Sequence, residues 1–394
     1  MKRRSLYERI IPLGIPLAWL QLTSDRKRFA VAIAGITFAV AMMLFQVGLR
    51  GALFRQVVGP LSMLDADVVI VSPNYEYFGV GRGFANVRLK QAFAVPEVVD
   101  ANGIKIGCMP FKNVDDGRER DIFAIAFDPS KRIFEDESIN SSQHILKREG
   151  TVLFDTLSRK QYGDVASKLE DGEFPRTELS GRRATIGAGV EIGATFAADG
   201  NVLMSLDTLS KIWRHDSPDI SNVGLIRIRD GADASLAADK LRKILPPDVR
   251  VMTKGEFIEA EKEYWAVRTP IGFVIGASMA VAIFVGAVIV YQILYTDVTD
   301  HIPEYATLKA IGFSDSFFVW IIVQESLILS LFGFIPGSLL AGLLYKLTRD
   351  VANMPTQMSL ANLALIFFLA IFMCVSAGLL ATRKLRKANP ADIF

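Results

Sequence analysis

The chain is poor in the residues that carry chemistry. Two cysteines in 394 residues exclude a disulfide framework, and Cys108 and Cys374 lie in stretches of different character, one charged and one apolar. The three histidines, His144, His215 and His301, are too far apart in sequence to suggest a metal site. There is no GxxxxGK[ST] phosphate loop, hence no encoded ATP site, and neither HExxH nor GxSxG occurs. Gly79-Val80-Gly81-Arg82-Gly83 is glycine-rich but lacks the strand-turn-helix setting of a nucleotide site and reads as a flexible loop. A formal net charge of +2 gives no footprint for nucleic acid. No enzymatic activity, metal or cofactor of its own is therefore expected.

What the chain has in quantity is apolar sequence. Hydrophobic residues make up 51% while charged residues still make up 22%, so the apolar residues must be concentrated in segments. Crossing a bilayer takes about 20 apolar residues at roughly 1.5 Å rise each. Four stretches qualify: residues 29–49, 271–294 (opened by Pro270), 317–347 and 360–381. The first begins too late, runs too long and has no cleavage site, so it is expected to be retained and not removed as a signal peptide. The fold class expected is a membrane α-helical protein with four transmembrane helices and a large α+β extracytoplasmic domain, residues 50–269, inserted between helices 1 and 2. Basic clusters precede the first span (Arg26, Lys27, Arg28) and follow the last (Arg383, Lys384, Arg386, Lys387), which predicts cytoplasmic N- and C-termini, residues 1–28 and 382–394. The loop 295–316 then lies in the cytoplasm, although Lys309 is its only strong base.

Within residues 1–28, Ile15 to Leu22 with Trp19 at the edge suits a helix lying in the cytoplasmic interface; a basic leader that only fixes topology is the other reading. In the large domain, residues 67–71, 121–127, 225–229 and 249–252 read as strands, and 235–245 as a helix. A second strand-helix-strand unit is expected around 67–109, its helix opened by Val95-Pro96-Glu97-Val98. Two porter-like parts, about 60–110 and 206–255, would then flank an inserted part, about 111–205. Leu49 to Val58 stays helix-compatible until Gly59-Pro60, and Glu256 to Arg268 reads as a helix leading straight into Pro270. These are either mechanical stalks or ordinary connectors.

Inside the spans, Gly272/Gly276 and Gly333/Gly337 have the GxxxG spacing that lets helix backbones approach. Glu325 is the one ionisable group well inside a span, and a packing hydrogen bond to a neighbouring helix is preferred for it over a proton or substrate role. The loop after the second span contains a short helix, started by Pro303, with Glu304 near its positive end and Gly312 at its close. Its apolar residues Tyr305, Ala306, Leu308 and Ile311 require something to cover them.

That loop resembles the coupling segment of ABC transporter permeases of the MacB, LolC and FtsX group. Glu304, Leu308, Lys309, Ala310, Ile311 and Gly312 match the pattern found there between helices two and three, and Tyr305 falls within it. The wording of Val288 to Phe313, Gly255 to Trp265, Gln324 to Leu329 and Asn389 to Phe394 is similar to the DevC-type exporter permeases. The resemblance implies an inner-membrane homodimer bound to a separate ABC ATPase subunit that holds ATP and magnesium. It further implies that ATP-driven helix motion is relayed to the outer domain, which works with a periplasmic adaptor and an outer-membrane channel on glycolipid or other amphipathic cargo. The alternative within the same group is an FtsX-like signalling permease that activates an extracellular wall hydrolase.

Overall fold

The computed structural model describes residues 17–79, 82–193, 199–213, 217–352, 354 and 356–387. Residues 1–16, Val80, Gly81, His215 and the Asn389–Phe394 ending lie outside the described residues. The chain divides into two compact units, residues 1–52 with 272–394, and residues 53–271.

The first unit is helical: α1 (Leu17–Ser24), α2 (Arg26–Ser62), and, after the second unit, α9 (Pro270–Asp300), α10 (Ile302–Ala310), α11 (Asp315–Ala352) and α12 (Leu360–Lys387). Among the described residues, four helices are long and apolar enough to cross a membrane: α2, α9, α11 and α12. They extend past the apolar stretches that reveal them, because the flanking polar residues also favour helix. The first of them runs through Gly59-Pro60 to Ser62, beyond the expected stop, although Pro60 removes one backbone donor and the helix ends two residues later. Ile36, Val40 and Leu44 of α2 join Val290 and Leu294 of α9, Ile322 and Leu329 of α11, and Ala370 and Ala377 of α12 in one buried cluster. Lipid tails are as apolar as these side chains, so close van der Waals packing of small residues holds such helices together.

The second unit is α+β. Its strands are β1 (Val68–Val71), β2 (Phe84–Ala85), β3 (Val98–Lys112), β4 (Glu119–Phe127), β5 (Thr151–Asp155), β6 (Arg176–Leu179), β7 (Arg182–Val190), β8 (Asn201–Ser205), β9 (Ile220–Ser221), β10 (Val223–Ile228) and β11 (Arg250–Thr253). Its helices are α3 (Val87–Ala92), α4 (Glu137–Ser142), α5 (Val165–Glu170), α6 (Leu206–Ile212), α7 (Ala234–Ile244) and α8 (Lys254–Glu263). One nine-stranded sheet runs β11-β1-β10-β3-β4-β8-β5-β7-β6. The long strand β3 joins its two parts: residues up to Ile104 pair with β10, and Lys105 onward with β4. Phe111 of β3 also pairs with Leu179 of β6, which closes six strands into a barrel. Alternation sends Met109, Phe111, Ile122, Phe154, Ile186 and Met204 into one core and Ile106, Phe123, Ile125, Leu153 and Leu203 into another.

At the other end of the sheet, Leu89 and Ala92 of α3 and Ala238 and Leu241 of α7 pack on Val68, Ile70, Ile226 and Val251. The strand-helix-strand run from β10 through α7 to β11 follows the expected pattern. In the first such run the helix is not opened by Val95-Pro96; it is α3, which ends at Ala92, and Val98 already begins β3. Proline biases the residue before it toward extended backbone, which suits the approach to a strand. The helix before Pro270 also departs from expectation. The α-helix α8 ends at Glu263, one π-turn covers Tyr264–Arg268, and Thr269 is extended at φ −106° and ψ 151°. The break has the same cause, since a residue preceding proline is driven out of the helical region.

Candidate functional site

The connection between α9 and α11 is the part of the first unit with most built-in geometry. The helix α10 has Pro303 in its first turn, where the missing N–H costs nothing, with Glu304 beside it and Lys309 in the last turn. Gly312 closes it with φ +108°, a conformation open to glycine and strained for other residues. The Gly312 N–H donates to the Lys309 carbonyl at 3.0 Å and the Phe313 N–H to the Leu308 carbonyl at 3.1 Å. This paired arrangement is a Schellman closure and fixes the length of the helix at about two turns.

The helix has two different faces. Glu304, Thr307 and Ile311 are exposed, and Ile311 is 71% exposed, a large apolar side chain facing outward. Leu308 and Lys309 are half-buried, and Ala310 belongs to the helix. Tyr305 points the other way and is 2% exposed. The Gln21 side-chain amide of α1 donates to its hydroxyl at 3.1 Å, and its ring meets Phe318 of α11 edge-on, centroids 5.2 Å apart. Tyr305 is therefore not part of the outward face with which the sequence groups it. It is the pin that holds α10 against α1 and α11. Arg28 of α2 adds a second tie, donating to the Asp300 carboxylate at 2.8 Å where α9 ends. Sequence reasoning took Arg28 only as a topology signal and missed Gln21 altogether. No local signal marks either pairing, because both partners lie more than 250 positions away.

Glu325 is fully buried in α11. Neither carboxyl oxygen has a hydrogen-bond partner among the described residues, which corrects the expected bond to a neighbouring helix. One turn away on either side, Ile322 and Leu329 belong to the apolar cluster, and Ser326 donates to the Ile322 carbonyl of its own helix at 2.8 Å.

The two GxxxG pairs differ. A Cβ on Gly333 would stand 2.4 Å from Ile36 Cγ2, and one on Gly337 2.8 Å from Val40, so both glycines seat α2 on α11. Gly276 has no atom within 4 Å of where a Cβ would be, while Phe273, Ala280, Phe284 and Val288 are exposed along the same helix and Gly272 is half-buried. Among the described residues, no group of three His, Cys, Asp or Glu side chains could hold a metal ion.

With this arrangement established, residues 276–390 match the family model described as FtsX-like permease C-terminal. The matched residues contain α10, α11 and α12 whole, together with α9 from Gly276 onward. The chain is also similar to an uncharacterized ABC transporter permease of Methanocaldococcus jannaschii, 24% identical over 160 residues, which is 39% of each protein. The aligned part thus spans about two fifths of that curated relative. Two solved domains show a likeness: the periplasmic region of MacB from Actinobacillus actinomycetemcomitans has TM-score 0.31 at 9% identity, covering 49% of this chain and 91% of that one. The extracellular domain of the noncanonic ABC-type transporter YknZ from Gram-positive bacteria has TM-score 0.30 at 13% identity, covering 47% and 98%. Scores of this size carry no argument for the second unit. The family match and the relative are both permeases, the class that the loop sequence resembles.

Proposed function

We propose that this chain is the membrane subunit of an ATP-driven ABC transporter and that α10 is the element that receives the motion of a separate ATPase. The observation that carries the reading is the outward face of α10. A short helix, closed at Gly312 and pinned from behind by Tyr305, presents Glu304, Thr307 and the uncovered Ile311 between two spanning helices. An exposed apolar side chain on a fixed helix suits a groove in a partner protein. ATP and magnesium belong to that partner, since this sequence has no phosphate loop.

In this reading the chain lies in the inner membrane with both termini in the cytoplasm, and residues 53–271 work outside it. It acts as a homodimer, for which the open α9 face around Gly276 offers a contact surface. The transporter belongs with the DevC-type exporters and acts by transmitting motion to the outer domain. That domain passes glycolipid or other amphipathic cargo to a periplasmic adaptor and an outer-membrane channel.

Cross-linking tests the coupling assignment. Thr307→Cys, in a chain carrying Cys108→Ser and Cys374→Ala, is expected to capture an ATPase subunit in native membranes. Val351→Cys, exposed at the far end of α11, is expected to capture none. Equal capture at both positions, or none at Thr307→Cys, contradicts the assignment.

A further inference from the structure

In the second unit, the segment after β1, residues 72–79, lies across the end of α8 and the π-turn that follows it. Two of its aromatic rings, Tyr75 and Tyr77, make that contact, and a third anchors the segment in the core. Tyr75 meets Phe257 of α8 at a centroid distance of 5.5 Å. Tyr77 stacks on Tyr264 at 4.9 Å and meets Trp265 edge-on at 5.3 Å, both residues of the π-turn. Phe78 reaches Phe123 in the core at 5.4 Å. Beneath these rings lies Glu261, 1% exposed and one turn before the π-turn. The Tyr75 hydroxyl donates to its Oε1 at 2.5 Å, and its Oε2 is buried without a hydrogen-bond partner among the described residues.

We propose that Glu261 and Tyr75 form a pH-sensitive latch, closed when Glu261 carries a proton, that holds the 72–79 strap on the π-turn ending α8. The proposal rests on this unit's own geometry and stands apart from the transporter reading. The π-helix is rare, occurs mostly as single turns and is found frequently at functional sites. The strap holds this one through Tyr77, and holds the turn of α8 before it through the Tyr75 ring on Phe257 and the Tyr75 hydroxyl on Glu261. The titratable groups facing the site are Tyr75, Glu76 and Tyr77 of the strap, Cys108 of β3 and Tyr264 of the π-turn. None is a cation, and on α8 itself Lys262 is taken by Glu259 at 2.6 Å. An ionised Glu261 would thus sit among aromatic rings with no cation to pair with it, which burial penalises.

Burial pushes the Glu261 carboxyl up to about 7, and hydrogen bonding from Tyr75, the Phe78 backbone and Trp265 opposes that rise. Burial and the neighbouring carboxyl also raise Tyr75, so the phenol remains the donor throughout. The sign follows from linkage. Between the ordinary carboxyl value of 4.5 and about 7, the folded site holds a proton that the open site has released. The latch is therefore fully closed below the lower value, weakens as pH rises through this window, and is open above it.

Hydrogen–deuterium exchange of the full-length protein in detergent, followed in peptides covering residues 254–269 and corrected for the intrinsic pH dependence, tests this. Wild type is expected to lose protection at least about tenfold between about pH 5 and about pH 8.5, since one pKa unit of coupling is worth a factor of ten. Glu261→Gln, which keeps the neutral form at all pH values, is expected to stay protected across the range. Tyr75→Phe removes the bond that favours the carboxylate and is expected to move the midpoint to higher pH. A flat wild-type profile, a Glu261→Gln profile that matches wild type, or a Tyr75→Phe midpoint that stays in place would each overturn the latch.

Discussion

Asp155→Ala is expected to cost on the order of 3 kcal/mol of stability in the second unit, because its carboxyl answers several buried donors at once. Asp155 is fully buried at the end of β5. Its Oδ1 accepts from the Leu157 and Ile192 N–H groups at 3.1 and 3.0 Å, and its Oδ2 from the Gly193 N–H at 3.0 Å and the Asn201 amide at 2.7 Å. The backbone donors sit near the surface, and water can recover part of their loss. Asn201 is fully buried and its amide cannot recover in that way. Asp155→Asn is expected to do nearly as much damage, because an amide nitrogen places a donor where a second acceptor is needed. For a unit of this size the loss corresponds to a fall of roughly 6–12 °C in melting temperature, readable by scanning calorimetry of the full chain. Melting within about 2 °C of wild type would show that the network carries little stability.

The second large effect concerns the two GxxxG pairs. Gly337→Val is expected to destabilise the helical unit by about 2 kcal/mol through overpacking. Even a Cβ at this position would meet Val40 Cβ at 2.8 Å and the Thr37 carbonyl at 3.0 Å, and neither is the free end of a flexible side chain. Any gain in helix propensity from replacing glycine is under about 1 kcal/mol and does not offset this. Gly276→Val creates no clash within the protomer, since nothing lies within 4 Å. It is expected to leave thermal unfolding of the monomer unchanged and to weaken self-association. Thermal unfolding with light scattering in detergent separates the two. Equal destabilisation by both substitutions would contradict the distinct roles drawn from the packing.

These results mark how far sequence reaches. The four long helices are legible because an apolar run of that length has few other uses. The ends of α10 are legible too, since Pro303 and Gly312 act locally on backbone angles that need no distant partner. Which face of a helix is buried is harder to read. Tyr305 and Ile311 look alike as apolar loop residues, yet one is pinned by Gln21 and Phe318 and the other is uncovered. The same spacing gave both GxxxG pairs equal standing, and only the position of Ile36 and Val40 tells them apart. In the second unit the parallel pairings β4–β8 and β5–β7 join strands far apart in sequence, so the barrel leaves no local trace. The misplaced helix near Val95-Pro96 shows the cost of reading proline as a starter when the chain there is approaching a strand. Glu325 illustrates a further limit: its burial followed from the apolar run around it, whereas its lack of a partner depends on three-dimensional neighbours.

The central proposal is that α10 joins this chain to a separate ATPase. Affinity purification of the tagged protein from gently solubilised native membranes tests it most directly, with Glu304→Lys and Leu308→Asp purified in parallel. The account predicts that an ABC ATPase subunit accompanies the wild type and that both substitutions remove it while the tagged protein itself remains folded. Wild-type protein that emerges with no ATPase, or an ATPase retained by both variants, would contradict it.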